Sequence, residues 1–143
     1  MNLLSKAIII ATKAHEGVTD KGGHPYILHP LRVMTKMNDD ISRIVAVLHD
    51  TVEDTDITFE YLRKEGFSEE IVNAINSVTR RENETYMEFV SRCKQNAIGK
   101  KVKLADIEDN SDITRISNPT TKDYDRLKKY EKAKRELLSI YPK

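Results

Sequence analysis

Apolar side chains recur at helical spacing along most of this chain, and nowhere does strict alternation persist long enough to make a strand. Leu3 to Ala14 carries the first such stripe. A second helix is expected from near His29-Pro30, proline being tolerated in a first turn, through LRVMTKM to Met37. Asp39 or Asp40 can cap a third, whose apolar positions Ile41, Ile44, Val45 and Leu48 keep the helical period. Thr58 begins a short helix that ends at Gly66, and Ser68 caps the next, through Ile71, Val72, Ile75 and Val78. Glu84 to Cys93 and Gly99 to Ile113 read as helices, and Thr120 or Thr121 caps a last one, KDYDRLKKYEKAKRELLSIY. One long loop interrupts the series, EGVTDKGGHPY from Glu16 to Tyr26, where Gly17, Gly22, Gly23 and Pro25 oppose helix. The pattern predicts an all-α bundle.

Composition narrows the function classes. The 143 residues are expected to form a single domain, 1–143, with room for a real core. A charged fraction of 33% with a net charge of +1 gives neither a basic nucleic-acid footprint nor an acidic tail. The apolar patch from Ala7 to Ala11 is bracketed by Lys6 and Lys13 and is too short to span a bilayer, so no membrane partner is expected. A single cysteine, Cys93, allows no internal disulfide, which fits a reducing compartment and a cytoplasmic protein. No histidine stands near it in sequence, so a thiol nucleophile is not expected.

The stretch AVLHDTVEDT changes the picture from a bundle to a chemistry. If the third helix continues through it, His49 and Glu53 stand one turn apart, as do Asp50 and Asp54. His49 and Asp50 are neighbours about 100° apart on such a helix, so both can turn toward one ion. One imidazole and one carboxylate make an incomplete site. HPYILHPLRV offers His29, and VKLADIEDNSD offers Asp106 with Asn110 one turn on. A mixed nitrogen and oxygen set suits Mn²⁺, Fe²⁺ or Zn²⁺ better than Ca²⁺. A highly charged surface helix can also gather acids and a histidine with no ion at all. Position favours a site: His49 and Asp50 follow IVAVL, and Asp106 follows VKLA, where an unpartnered charge is costly. Such a pocket is strongly acidic, so a polyphosphate substrate needs cations. Lys21 is the first candidate; Arg80, Arg81, Lys103 and Arg115 serve equally well as solvated charges. His15 could reach a metal but is expected to pack or hydrogen-bond, and His24 to lie on the loop surface or face the substrate.

In order along the chain, DKGGHPYILHP, VLHDTVEDT and VKLADIEDN carry the patterns PYxxHP, HDxxED and LADxxxN. Together these resemble the HD-domain hydrolases of the RelA/SpoT type, which include stand-alone small alarmone hydrolases and the hydrolase half of long bifunctional enzymes. The resemblance implies an all-α HD-domain helical bundle with a mononuclear Mn²⁺ site. It also implies removal of the 3′-pyrophosphate from (p)ppGpp, giving GDP or GTP and pyrophosphate. Carried over by position, the metal ligands are His29, His49, Asp50 and Asp106. Glu53 and Asp54 match the acidic pair that handles the water and the protons, Asn110 the asparagine near the nucleotide, and Lys21 the lysine in the loop.

Two positions differ from the family. Asp20 stands where the hydrolases carry an arginine before the loop lysine, and Asp112 where the long enzymes carry one. No ligand is touched, so the metal chemistry is unaffected and the nucleotide is what these changes bear on. The alternative readings are another nucleotide, such as an adenine analogue or a nucleoside monophosphate, or a nucleotide-sensing module without turnover. The intact HDTVED argues against the last. A homo-oligomer is compatible with the chain, and its length leaves no expected room for a synthetase region.

Overall fold

A computed structural model describes residues 1–140. Its described part contains nine α-helices: α1 Leu3–Ala14, α2 Leu28–Thr35, α3 Asp40–Leu48, α4 Thr51–Asp54, α5 Phe59–Lys64, α6 Glu69–Ser77, α7 Tyr86–Lys94, α8 Ala97–Asn110 and α9 Thr121–Leu138. A 3₁₀ turn, Ile113–Arg115, follows α8, and the Glu16–Tyr26 loop is pinched by an isolated bridge between Thr19 and Pro25. The all-α expectation holds; Tyr141, the end of the expected last helix, lies outside the described residues.

Helix α3 is the axis of the bundle, packed by α1, α2, α6 and α8. Its IVAVL run leaves Val45, Ala46, Val47 and Leu48 with no exposed surface, as a helix apolar on every side requires. Asp39, rather than Asp40, caps it, accepting from Ser42 N–H at 2.8 Å. Thr58, Ser68, Thr85 and Asn96 cap α5, α6, α7 and α8. Gly66, just beyond α5, takes a φ of +97°, which a side chain would resist.

The third helix does not run through AVLHDTVEDT. It stops at Leu48, and His49 and Asp50 form the joint to the single turn of α4. Competition for one carbonyl explains the break. His49 Nδ1 donates to Ala46 O at 2.6 Å, the acceptor that the Asp50 N–H would need for the helix to continue. The boundaries of α7 and α8 also move. Glu84 stays outside α7 because Thr85 caps it, and α8 begins at Ala97 and ends at Asn110 rather than Ile113.

Close packing of α6 on α8 depends on Gly99. A Cβ there meets Ser77 Oγ at 2.0 Å, and that hydroxyl is already tied to Ala74 O at 2.6 Å. Gly99→Ala is expected to destabilise the protein by about 1–3 kcal/mol through overpacking, despite alanine's better helix propensity. Adding Ser77→Ala should recover most of the loss in paired thermal melts. An unchanged melting temperature in the single variant would refute this account. Among the described residues no helix is long and apolar enough to cross a membrane.

Candidate metal centre and its cleft

Three elements bring the expected residues together. Helix α2 presents His29, the joint after α3 presents His49 and Asp50, and α8 presents Asp106; all four are at least nine-tenths buried. Ligand-type atoms of His29, His49 and Asp50 lie within 4.8 Å of one another. Asp106 Oδ1 approaches the two imidazoles, 2.9 Å from His29 Nε2 and 3.2 Å from His49 Nε2.

Both imidazoles are oriented from behind. His49 Nδ1 is engaged with Ala46 O, and His29 Nδ1 lies 2.6 Å from Asp109 Oδ2. With a proton on each Nδ1, the Nε2 lone pairs face the centre, the arrangement seen when a carboxylate or carbonyl orients a metal-binding histidine. Asp109 is itself gripped by Arg32, whose Nε and Nη2 donate at 2.7 and 3.1 Å. Arg115 donates to the Asp109 carboxylate at 3.4 Å. Asp109 is 4% exposed, so this second layer is part of the interior.

The electrostatics call for a cation. Burial alone would raise Asp106, but Lys103 and the two imidazoles hold its carboxyl well below the usual range. Burial likewise opposes the charge on Asp50, which His49 and the Tyr26 hydroxyl nevertheless keep low. Burial also works to lower His49, yet Asp50 and Asp106 carry it to about 9. Carboxylates held anionic thus pull protons onto neighbouring imidazoles, a demand for positive charge that a divalent ion would meet. His15 Nε2 stands 3.2 Å from Asp50 Oδ1 without the alignment of a hydrogen bond, and its ring packs on Tyr26 with centroids 5.0 Å apart.

Glu53 and Asp54, on α4, are exposed at the rim. Glu53 Oε1 accepts from Arg80 N–H at 2.7 Å. Crowding by protein, together with Asp50 and Glu53, raises the Asp54 carboxyl above its ordinary value. The turn that carries Arg80 is clamped from α7: Arg92 donates to Asn76 O at 2.8 Å, Thr79 O at 2.7 Å and Glu84 Oε2 at 2.7 Å. Arg92 holds the Glu84 carboxyl at about 2, against about 4.3 in an unfolded chain. A depressed carboxylate stabilises the fold fully above the unfolded value and loses that contribution as pH falls toward the folded one. The stability gap between the native chain and Glu84→Gln is therefore expected near neutrality and should shrink between about pH 4 and pH 2. Urea titrations across that range test it, and a gap independent of pH would contradict the assignment.

Two cavities flank the centre and share Tyr26 and Val18. One, of about 830 Å³, is lined by His15, Asp54 and Tyr61. The other, of about 380 Å³, holds Lys21, Asn110, Asp112, Arg115, Arg126 and Tyr130. Lys21 and Asn110 line the same pocket, and Asn110 Nδ2 also donates to Asp106 Oδ1 at 3.1 Å. Asp20 lines this cavity too, but its Oδ1 accepts from Gly22 and His24 N–H at 2.9 Å, which shapes the loop. A Cβ at Gly22 would stand 2.4 Å from the Arg115 carbonyl, so glycine lets the Lys21 loop lie directly on the 3₁₀ turn. Asp112 accepts from Thr114 N–H at 3.1 Å and pairs with Arg115 at 3.2 Å.

The sequence offers Asp109 only as one more acid of the pocket, and it does not single out Arg126 or Lys129, which sit on a helix whose charges resemble an ordinary wet face. Yet Lys129 Nζ lies 4.5 Å from the Tyr86 ring centroid, with Lys103 at 5.5 Å and the Arg80 guanidinium at 5.9 Å. Burial lowers Lys129, and Lys103, Arg80, Arg126 and Lys21 lower it further, so these cations gather within reach of one another. Lys103, which the sequence leaves open as a phosphate contact or a solvated charge, is buried. Cys93 is also buried, donates to Ser77 O at 2.9 Å and is pushed up to about 12, which agrees with its exclusion as a nucleophile.

No family model matches the chain. Curated relatives do. A guanosine-3′,5′-bis(diphosphate) 3′-pyrophosphohydrolase of Aquifex aeolicus is 33% identical over 147 residues, covering 96% of this chain and 20% of that protein. Its namesake in Vibrio cholerae is 31% identical over 148 residues, with the same shares. A GTP pyrophosphokinase of Myxococcus xanthus is 29% identical over 159 residues, covering 99% of this chain and 20% of its own length. The chain thus spans about a fifth of these relatives. A solved structure described as "A metazoan ortholog of SpoT hydrolyzes ppGpp and plays a role in starvation responses" superposes with a TM-score of 0.78 at 24% identity, covering 97% of this chain and 87% of that one. With the three motifs converging on one buried centre in that fold, the chain is similar over nearly its whole length to the HD-type hydrolases of the RelA/SpoT kind.

Proposed function

We propose that this protein is a Mn²⁺-dependent (p)ppGpp 3′-pyrophosphohydrolase whose metal ligands are His29, His49, Asp50 and Asp106. The observation that carries this reading is the convergence of two Nε2 atoms on Asp106 Oδ1, with both Nδ1 atoms engaged elsewhere. The relatives named as 3′-pyrophosphohydrolases, and the solved structure whose title assigns ppGpp hydrolysis to that protein, point to the substrate. Two nitrogens and two carboxylates fit Mn²⁺, with Fe²⁺ or Zn²⁺ as the alternatives. Bound there, the ion would supply Lewis acidity toward a phosphoryl oxygen and favour hydroxide near neutral pH.

The chain's own residues do the rest. Glu53, with one oxygen committed to Arg80 N–H, uses the other to orient the attacking water and take its proton. The water oxygen bonds to the phosphorus attached to O3′, the P–O3′ bond breaks, and pyrophosphate leaves carrying the water oxygen while O3′ stays on the ribose. Asp54, whose carboxyl is raised above its ordinary value by burial and by Asp50 and Glu53, returns a proton to O3′. Lys21 and Asn110 hold the nucleotide in the cavity they line, and Arg126 and Lys129 offset the negative charge of its phosphates.

A second reading keeps the mechanism and changes the nucleotide. It is favoured by Asp20 and Asp112, two carboxylates at the wall of the same cavity. Metal-stripped protein given Mn²⁺ and a panel of ppGpp, pppGpp, adenine analogues and nucleoside monophosphates separates the two. Pyrophosphate release from ppGpp is the expected result. Turnover of another nucleotide with none from ppGpp would replace the leading reading.

A further inference from the structure

We propose that Lys103 is a positioning residue that makes Asp106 a one-oxygen ligand. The inference rests on the metal-ligand reading above. Lys103 Nζ donates to Asp106 Oδ2 at 2.9 Å from one turn earlier on α8, while Oδ1 alone faces His29 Nε2, His49 Nε2 and Asn110 Nδ2. The two oxygens of one carboxylate therefore have separate duties.

The lysine is built into this place. It is 8% exposed, and its ammonium lies 4.9 Å from the Phe89 ring centroid and 5.5 Å from that of Tyr86. A buried ammonium needs a partner, and the ring faces hold it on one side while Asp106 holds it on the other. An Asp106 free at both oxygens would chelate, take up a position that water or substrate needs, and add electron density that weakens the ion as a Lewis acid. Lys103 prevents this without touching ion or substrate.

The sign of the effect separates this role from simple packing. Removing a nearby cation strengthens the attraction of the site for a metal, whereas damage to the fold weakens it. The full chain, stripped and reloaded with Co²⁺, provides a visible spectrum that reports coordination number. Lys103→Met is expected to weaken and shift the Co²⁺ bands, to bind Co²⁺ more tightly in competition with a chelator, and to lower turnover by about 10–100-fold. Lys103→Gln, whose amide still donates, should keep the native spectrum and also bind Co²⁺ more tightly. A native spectrum and unchanged affinity in Lys103→Met would overturn the inference, as would weaker binding in both variants. If Lys103→Met does not fold, the affinity of Lys103→Gln decides by its direction. A native chain that gives no Co²⁺ bands at all would instead overturn the ligand reading on which the inference stands.

Discussion

Asp106→Asn is expected to lose metal binding and to reduce turnover by more than about 100-fold, the upper end of what removing a mere supporting partner costs. Every strand of the site passes through this carboxylate. Both imidazoles and Asn110 face Oδ1, and Lys103 takes Oδ2. An amide keeps the shape and one acceptor but no charge, so the cation loses half of its carboxylate complement. Alanine is the poorer experiment because it strands the Lys103 ammonium in the interior, at a cost of about 3–5 kcal/mol. Isothermal titration of metal-free Asp106→Asn with Mn²⁺, beside a thermal melt showing that the variant is folded, provides the measurement. Native affinity in a folded variant would remove Asp106 from the ligand set.

Glu53→Gln is expected to do the opposite: metal retained, turnover lowered by about 10²–10⁴-fold. Glu53 is exposed on α4 and is steadied by the Arg80 N–H at 2.7 Å. Glutamine preserves that acceptor and removes the base. The loss should therefore fall on kcat rather than on KM or on Mn²⁺ affinity. Turnover within threefold of native would assign the proton transfer to another group, with Asp54 next in line. Loss of metal instead would mean that Glu53 belongs among the ligands.

Much of this arrangement is legible in the residue pattern, for identifiable reasons. IVAVL is apolar on every side and becomes the central helix, while Asp39, Thr58 and Ser68 stand where helices begin because short polar side chains complete free N–H groups. His29, His49, Asp50 and Asp106 meet because each follows or interrupts an apolar run. The break at His49 is not legible, since a histidine has no strong helix-stopping tendency and acts here through one contact with Ala46 O. Periodicity also misleads on α8, which buries Lys103, Asp106 and Asp109 together. Their mutual neutralisation with His29 and Arg32 involves partners more than seventy residues away in sequence, a separation that no local window covers. Arg126 and Lys129 are hidden for the converse reason: a lysine facing a cleft looks like any other on a helix with a wet face.

The contact between Gly22 and the Arg115 carbonyl has a consequence for anyone recombining this domain with its relatives. The loop bearing Asp20 and Lys21 and the turn bearing Asp112 and Arg115 are two halves of one moulded wall, far apart in the chain and fitted to each other at a single glycine. A graft of either segment alone would arrive against a surface shaped for a different partner. Nucleotide preference in this scaffold should therefore transfer between homologues as a pair of segments, with crossover points on both sides of the intervening helices, or not transfer at all.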